Sequence, residues 1–164
     1  MPVFSIKYQD ILALIEAFDP VAYAKSRNYS DGAVSRLSPY ISRGVISTRL
    51  VYERLLKRGI KFYQMEKFIQ ELAWRDFWQR QWQHHGVAIN QDLKHPQEHV
   101  RFYGLPRAIQ EADTGIDVID KAIEELYQTG YMHNHLRMYL ASIVCNVGQY
   151  HWRIPAQWMF AHLL

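Results

Sequence analysis

The chain has a single cysteine, Cys145, so no disulfide can form within it, and a lone thiol in an apolar stretch suits a reducing compartment. The N-terminus MPVFSIKYQDIL lacks the basic start and apolar run of a secretory signal. No apolar run is long enough to cross a bilayer, and the longest uncharged stretch, 138–150, is interrupted by Ser, Asn, Gly and Gln. A cytoplasmic protein with no membrane partner is expected. Strand signals are also scarce, with no alternating Val/Ile/Thr run and no Asn-Gly hairpin, which argues against sheet-based folds. Nor is charge of one sign abundant: 19 Lys and Arg face 16 Asp and Glu. That small excess is compatible with an anionic partner but does not single one out.

What is present is apolar and aromatic. Of 164 residues 49% are hydrophobic and 14% aromatic, enough for a real core, and one compact all-α domain over 1–164 is expected. Ile11, Leu12, Leu14, Ile15 and Phe18 carry a first helical period that ends before Pro20, and a loop containing Asp31-Gly32 follows. Ser38 is expected as an N-cap with Pro39 at the first helical position. A helix from about Thr48 to Lys57 should close at Gly59. The longest helix is expected over 64–85. It carries apolar groups on several faces, so it should lie centrally, with Trp78 and Trp82 as packing residues. Residues 87–105 read as a long connection. Helices are then expected over 115–128, closed by Gly130, and from Tyr131 to about Gly148. A last one from Pro155 lacks stop signals and should still be running at Leu164, which suggests that the natural chain continues.

Three short elements carry chemistry. In AVSRLSPYISRG, Ser35 and Ser38 flank Arg36 at a helix mouth, where hydroxyls, free N–H groups and a fixed charge suit a phosphate; an ordinary N-cap beside a solvated arginine is the simpler account. In ELAWRDF, Glu71, Trp74 and Arg75 share one helix face at i, i+3 and i+4. They read equally as an intrahelical ion pair or as an aromatic plane flanked by groups that hydrogen-bond a heterocycle. In YMHNHLRM, Asn134, Arg137 and Met138 share a face, and Asn134 offers both a donor and an acceptor. His133 and His135 point to different sides of that helix, and Pro96 argues against a helix joining His95 and His99, so no metal site is expected. Lys57, Arg58 and Lys61 read as a solvated helix end or as contacts to phosphates.

In this order, and with TGIDVIDKAIEELYQTGYMHNHLRM, these elements resemble the DNA photolyase/cryptochrome family, from Tyr23 to the end of the chain. The resemblance implies a multi-helix FAD-binding domain that stops short of the family's C-terminal flavin contacts, which should weaken FAD binding. No antenna domain, and hence no antenna chromophore site, is expected. By resemblance, Tyr23, Ser35, Arg36, Leu37 and Ser38 would hold the FAD pyrophosphate, with Arg75, Asn134 and Arg137 also near the cofactor. Glu71, Trp74, Asn134 and Met138 would meet a lesion in damaged DNA, and Trp152 would be the middle member of an electron relay. Glu71 would need a proton, and therefore burial, to stabilise the added charge. The implied activity is light-driven reversal of cyclobutane pyrimidine dimers. A photoreceptor or redox flavoprotein and a cofactor-less DNA-binding module are the alternatives. Val34, Ile109 and Tyr131 depart from the family's threonine, outermost relay tryptophan and tryptophan. The three elements should meet at one cavity.

Overall fold

The computed structural model describes residues 4–164. The described residues form helices and turns with no strand, only an isolated parallel bridge between Phe102 and Tyr150, so the all-α expectation holds. The chain divides into two compact units, the first through His84 and the second from His85 to Leu163. Each is built around its own core.

In the first unit, α1 (Tyr8–Ala17) turns Ile11, Leu12 and Ile15 inward. Pro20 ends that helix and at once begins another. The Asp19 carboxylate accepts from the N–H groups of Val21 and Ala22 and caps α2 (Pro20–Ser26), a short helix not anticipated although Asp-Pro is a start signal. Gly32 sits where any Cβ would strike the Ser26 carbonyl, so the Asp31-Gly32 turn tolerates nothing larger. α3 (Ser38–Ser42) begins one residue earlier than expected, with Leu37 at the cap and Ser38 inside the first turn. α4 (Thr48–Lys57) runs as expected, from the Ser47 hydroxyl, which accepts from Leu50 N–H, to Gly59 at φ 73°. The Arg58 guanidinium is no solvated helix end: it donates to the Ile15 and Phe18 carbonyls at 3.0 and 2.7 Å and ties α4 to the end of α1.

α5 (Phe62–His85) places Met65, Phe68 and Leu72 against α1, α3 and α4 in this core. Beyond Leu72 the expectation of a central helix fails. Trp74, Phe77, Trp78 and Trp82 are all exposed, so Trp78 and Trp82 are not packing residues. The helix outruns the surface that the unit's shorter helices can offer it.

The second unit opens with a 3₁₀ turn (Gly86–Asn90) and an irregular connection, then α6 (Arg107–Gln110) and α7 (Asp117–Thr129). Gly130, left-handed at φ 68°, ends α7 as expected. Tyr131 and Met132 are buried before α8 (Asn134–Ser142) starts, so this helix is shorter than the expected 131–148. The His133 ring accepts from His135 N–H and caps it. The helical path widens into a π turn (Ile143–Val147), where Gly148 N–H donates to the Ile143 carbonyl. α9 (Arg153–His162) begins two residues before Pro155 and ends at His162, instead of running on to Leu164. Ile109, Ile119, Ile123, Leu126, Met132, Leu140 and Val144 form the core.

Candidate functional site

In the first unit two arginines tie expected site residues to their neighbours, Arg27 to Tyr23 and Glu71, and Arg75 to Ser42. Tyr23, on α2, packs edge-on against Phe18 and Phe68 at 5.7 and 5.2 Å. Arg27, one turn further along α2, lies 5.9 Å over the Tyr23 ring and donates to Glu71 Oε1 at 3.4 Å. The Glu71–Arg75 ion pair, one of the two readings of that helix face, is therefore not formed. Glu71 pairs with Arg27 and, at 3.9 Å, with Lys67, while Arg75 reaches the Ser42 hydroxyl on α3 at 3.4 Å. The Glu71 side chain is 36% exposed, so the burial expected of it is not found. Arg27 and Ser42 are parts of this cluster that sequence reasoning missed; only the i, i+4 spacing of Tyr23 and Arg27 hinted at the first.

The loop into α3 holds the residues that the sequence marks for a phosphate. Ser26 Oγ accepts from Ala33 N–H and anchors the loop to α2. Arg36 stands at φ 51°, a left-handed conformation that a non-glycine residue adopts at a cost of about 1–3 kcal/mol, and its side chain is exposed. Ser35 Oγ accepts from Leu37 N–H, and Ser38 is exposed in the first turn. Two hydroxyls, a guanidinium and first-turn N–H groups suit a pyrophosphate. The Leu37 side chain does not face it: Leu37 is fully buried in the core and can offer only backbone.

In the second unit Asn134 and Met138 stay together on the exposed side of α8, but Arg137 leaves their face. Its Nε donates to the Met132 carbonyl at 2.8 Å, and burial pulls its guanidinium below the ordinary arginine value. Arg137 and Trp152 line an apolar hollow of ≈ 290 Å³ with Ile109, Cys145, Trp158 and Met159 among its walls. Burial pushes the Cys145 thiol up, which makes it a poor nucleophile. Trp152 is held on both sides. Its backbone N–H donates to Gln97 Oε1 at 2.9 Å, and its indole N–H donates to Asp92. The Trp152 indole, with the Gln97 N–H, holds the Asp92 carboxyl below the usual carboxylate range. Asp92 and Gln97 lie in the connection that the sequence left without structure.

The family model described as the FAD binding domain of DNA photolyase matches residues 68–164, more than half of the chain. The chain belongs to the photolyase family. Among curated photolyase relatives, the deoxyribodipyrimidine photo-lyase of Thermus thermophilus is 34% identical over 161 residues, which is 93% of this chain and 36% of that protein. Cryptochrome DASH of Synechocystis is 29% identical over 159 residues, 87% of this chain and 31% of that protein. The crystal structure of a bacterial class III photolyase from Agrobacterium tumefaciens matches with a TM-score of 0.83 at 23% identity, covering 98% of this chain and 35% of that one, a likeness of fold. The chain thus spans about a third of the length of the photolyases and cryptochrome it matches. The photolyase-type helical fold and the assignment to an FAD-binding domain family agree with the resemblance read from the motifs. No helix among the described residues is long and apolar enough to cross a membrane.

Proposed function

We propose that this chain is the flavin- and lesion-binding part of an enzyme that reverses cyclobutane pyrimidine dimers in DNA with light. The observation that carries the reading is the exposure of apolar groups that the motifs mark for the lesion. Trp74 is 52% and Met138 61% exposed, Asn134 is exposed and Glu71 half-exposed, so none of the four is consumed by its own unit's core. A helix that keeps an indole in solvent next to a carboxylate has the parts for stacking on a base and hydrogen-bonding its edge.

Tyr23, Ser35, Arg36 and Ser38, with the Leu37 backbone, would hold the FAD pyrophosphate, while Arg75 and Arg137 supply fixed positive charge and Asn134 a two-way amide. Reduced FAD, when bound, supplies a light-driven electron to the dimer and takes it back, so two carbon–carbon bonds break with no net oxidation. Trp74 stacks on the extruded dimer, whose poor stacking in the duplex makes extrusion cheap. Glu71, held by Arg27 and Lys67, accepts a hydrogen bond from a pyrimidine N–H, and Met138 fills the apolar side. The test has two parts. A visible absorption spectrum of the purified protein reads bound flavin. Blue light plus a reductant, applied to an oligonucleotide with one thymine dimer, reads reversal. Flavin absorption without reversal favours a second reading, a non-repair flavoprotein, which the cryptochrome likeness and the buried Ile109 also support. A protein that takes up no flavin and reverses no dimers even with excess FAD added defeats both.

A further inference from the structure

Trp152 sits in an aromatic path that reaches solvent without the residue at position 109. The His151 ring lies 5.8 Å from the Trp152 ring at 31°, and the Tyr103 ring stacks on His151 at 5.4 Å and 21°. Tyr103 itself is 80% exposed. The three rings therefore run from a half-buried indole to the surface, all within the second unit. Tryptophan and tyrosine are the most readily oxidised aromatic side chains, and an indole that loses an electron becomes a strong N–H acid. Its proton already has a place to go, because Trp152 Nε1–H donates to Asp92 Oδ1. Asp92 also stands 3.5 Å from His151 Nε2, so one carboxylate touches both inner members of the path.

From this geometry we infer that Tyr103, His151, Trp152 and Asp92 form a proton-coupled electron path with Tyr103 as its surface terminus. One electron leaves Trp152 to an excited oxidised flavin or another photo-oxidant, and the indole proton moves to Asp92. Tyr103 then returns one electron to Trp152 across His151, the proton on Asp92 goes back to the indole nitrogen, and the Tyr103 phenol releases its own proton to water. The net change is one electron gained by the oxidant, one proton released and a neutral phenoxyl radical at Tyr103, which an external thiol can reduce. The inference uses none of the residues given roles in the proposed function, and its test needs no flavin.

A ruthenium–bipyridine photo-oxidant attached to Ile154→Cys, an exposed position two residues from Trp152, starts the reaction near the indole, because the half-buried Cys145 thiol reacts poorly. After a flash with a soluble quencher, transient absorption and electron paramagnetic resonance distinguish tryptophanyl from tyrosyl radical. In this labelled protein, with no other change, a tyrosyl radical should replace the tryptophanyl signal. Tyr103→Phe, an exposed change with little bearing on folding, should leave a tryptophanyl radical at least tenfold longer-lived. Asp92→Asn should convert the neutral tryptophanyl spectrum to the cationic one, provided that circular dichroism shows the fold intact; His151→Leu should slow tyrosyl formation at least tenfold. A tyrosyl signal undiminished in Tyr103→Phe, or unchanged kinetics in His151→Leu, overturns the path. Because no flavin is involved, such a failure is separable from failure of the repair reading, and a colourless, inactive protein would leave this test intact.

Discussion

Replacing Glu71 with alanine should separate function from stability. In the structure Glu71 makes two long ion pairs, to Arg27 at 3.4 Å and Lys67 at 3.9 Å, with its side chain 36% exposed. Neither contact has the short, linear geometry of a strong charged hydrogen bond, and a third of the side chain sees screening water. Pairs of this kind are worth about 0–1 kcal/mol, so Glu71→Ala should lower the melting temperature by no more than about 4 °C for a chain of this size. The proposed role asks more of the residue. A hydrogen bond from the pyrimidine edge to a charged carboxylate is worth about 1.5–3 kcal/mol, or about 10- to 150-fold in affinity for a dimer-bearing oligonucleotide. Fluorescence anisotropy with labelled oligonucleotides measures the affinity, and thermal melting followed by circular dichroism measures the fold. Unchanged affinity for the dimer would remove Glu71 from the lesion site. A large loss of melting temperature would instead make Glu71 a structural clamp between α2 and α5, and the reasoning from long, exposed ion pairs would be wrong.

Arg58→Met should cost about 2–4 kcal/mol in urea denaturation followed by circular dichroism, because two carbonyls at the end of α1 lose a charged donor at 3.0 and 2.7 Å; a loss under about 0.5 kcal/mol would show that water replaces it freely. Asp120 should make the second unit acid-sensitive. The Thr114 hydroxyl, followed by the N–H groups of Thr114 and Gly115, lowers its folded pKa below the unfolded value, so its contribution is complete above the unfolded pKa of about 4 and is lost as pH falls through the lower folded value. Asp120→Asn should therefore flatten the stability–pH curve below about pH 4 while leaving its slope near neutrality unchanged, as read by urea midpoints across pH.

Period and punctuation made much of the fold legible. Thr48–Lys57 was readable because Gly59 closes it, and α7 because Gly130 takes the left-handed turn that follows it. Short helices were not: α2 and α6 span seven and four residues, too few for a period to emerge. For the candidate site, the motifs picked out the side chains but not their partners. Glu71 and Arg75 were readable as neighbours on one helix face, yet each bonds elsewhere, because Arg27 and Ser42 arrive from helices distant in sequence.

By itself the sequence determined what is encoded locally: the helical class, most helix ends, and a set of motifs specific enough to name a family of flavin-binding domains. Tertiary structure alone decided burial and pairing. It left the aromatic side chains of α5 beyond Leu72 exposed, folded Arg137 back onto the Met132 carbonyl, and brought Asp92 and Tyr103 beside Trp152 and His151 from a connection with no period of its own. Periodicity reports which residues share a face, whereas the neighbour that covers the face, or the acid that accepts its proton, comes from chain remote in sequence and leaves no local mark.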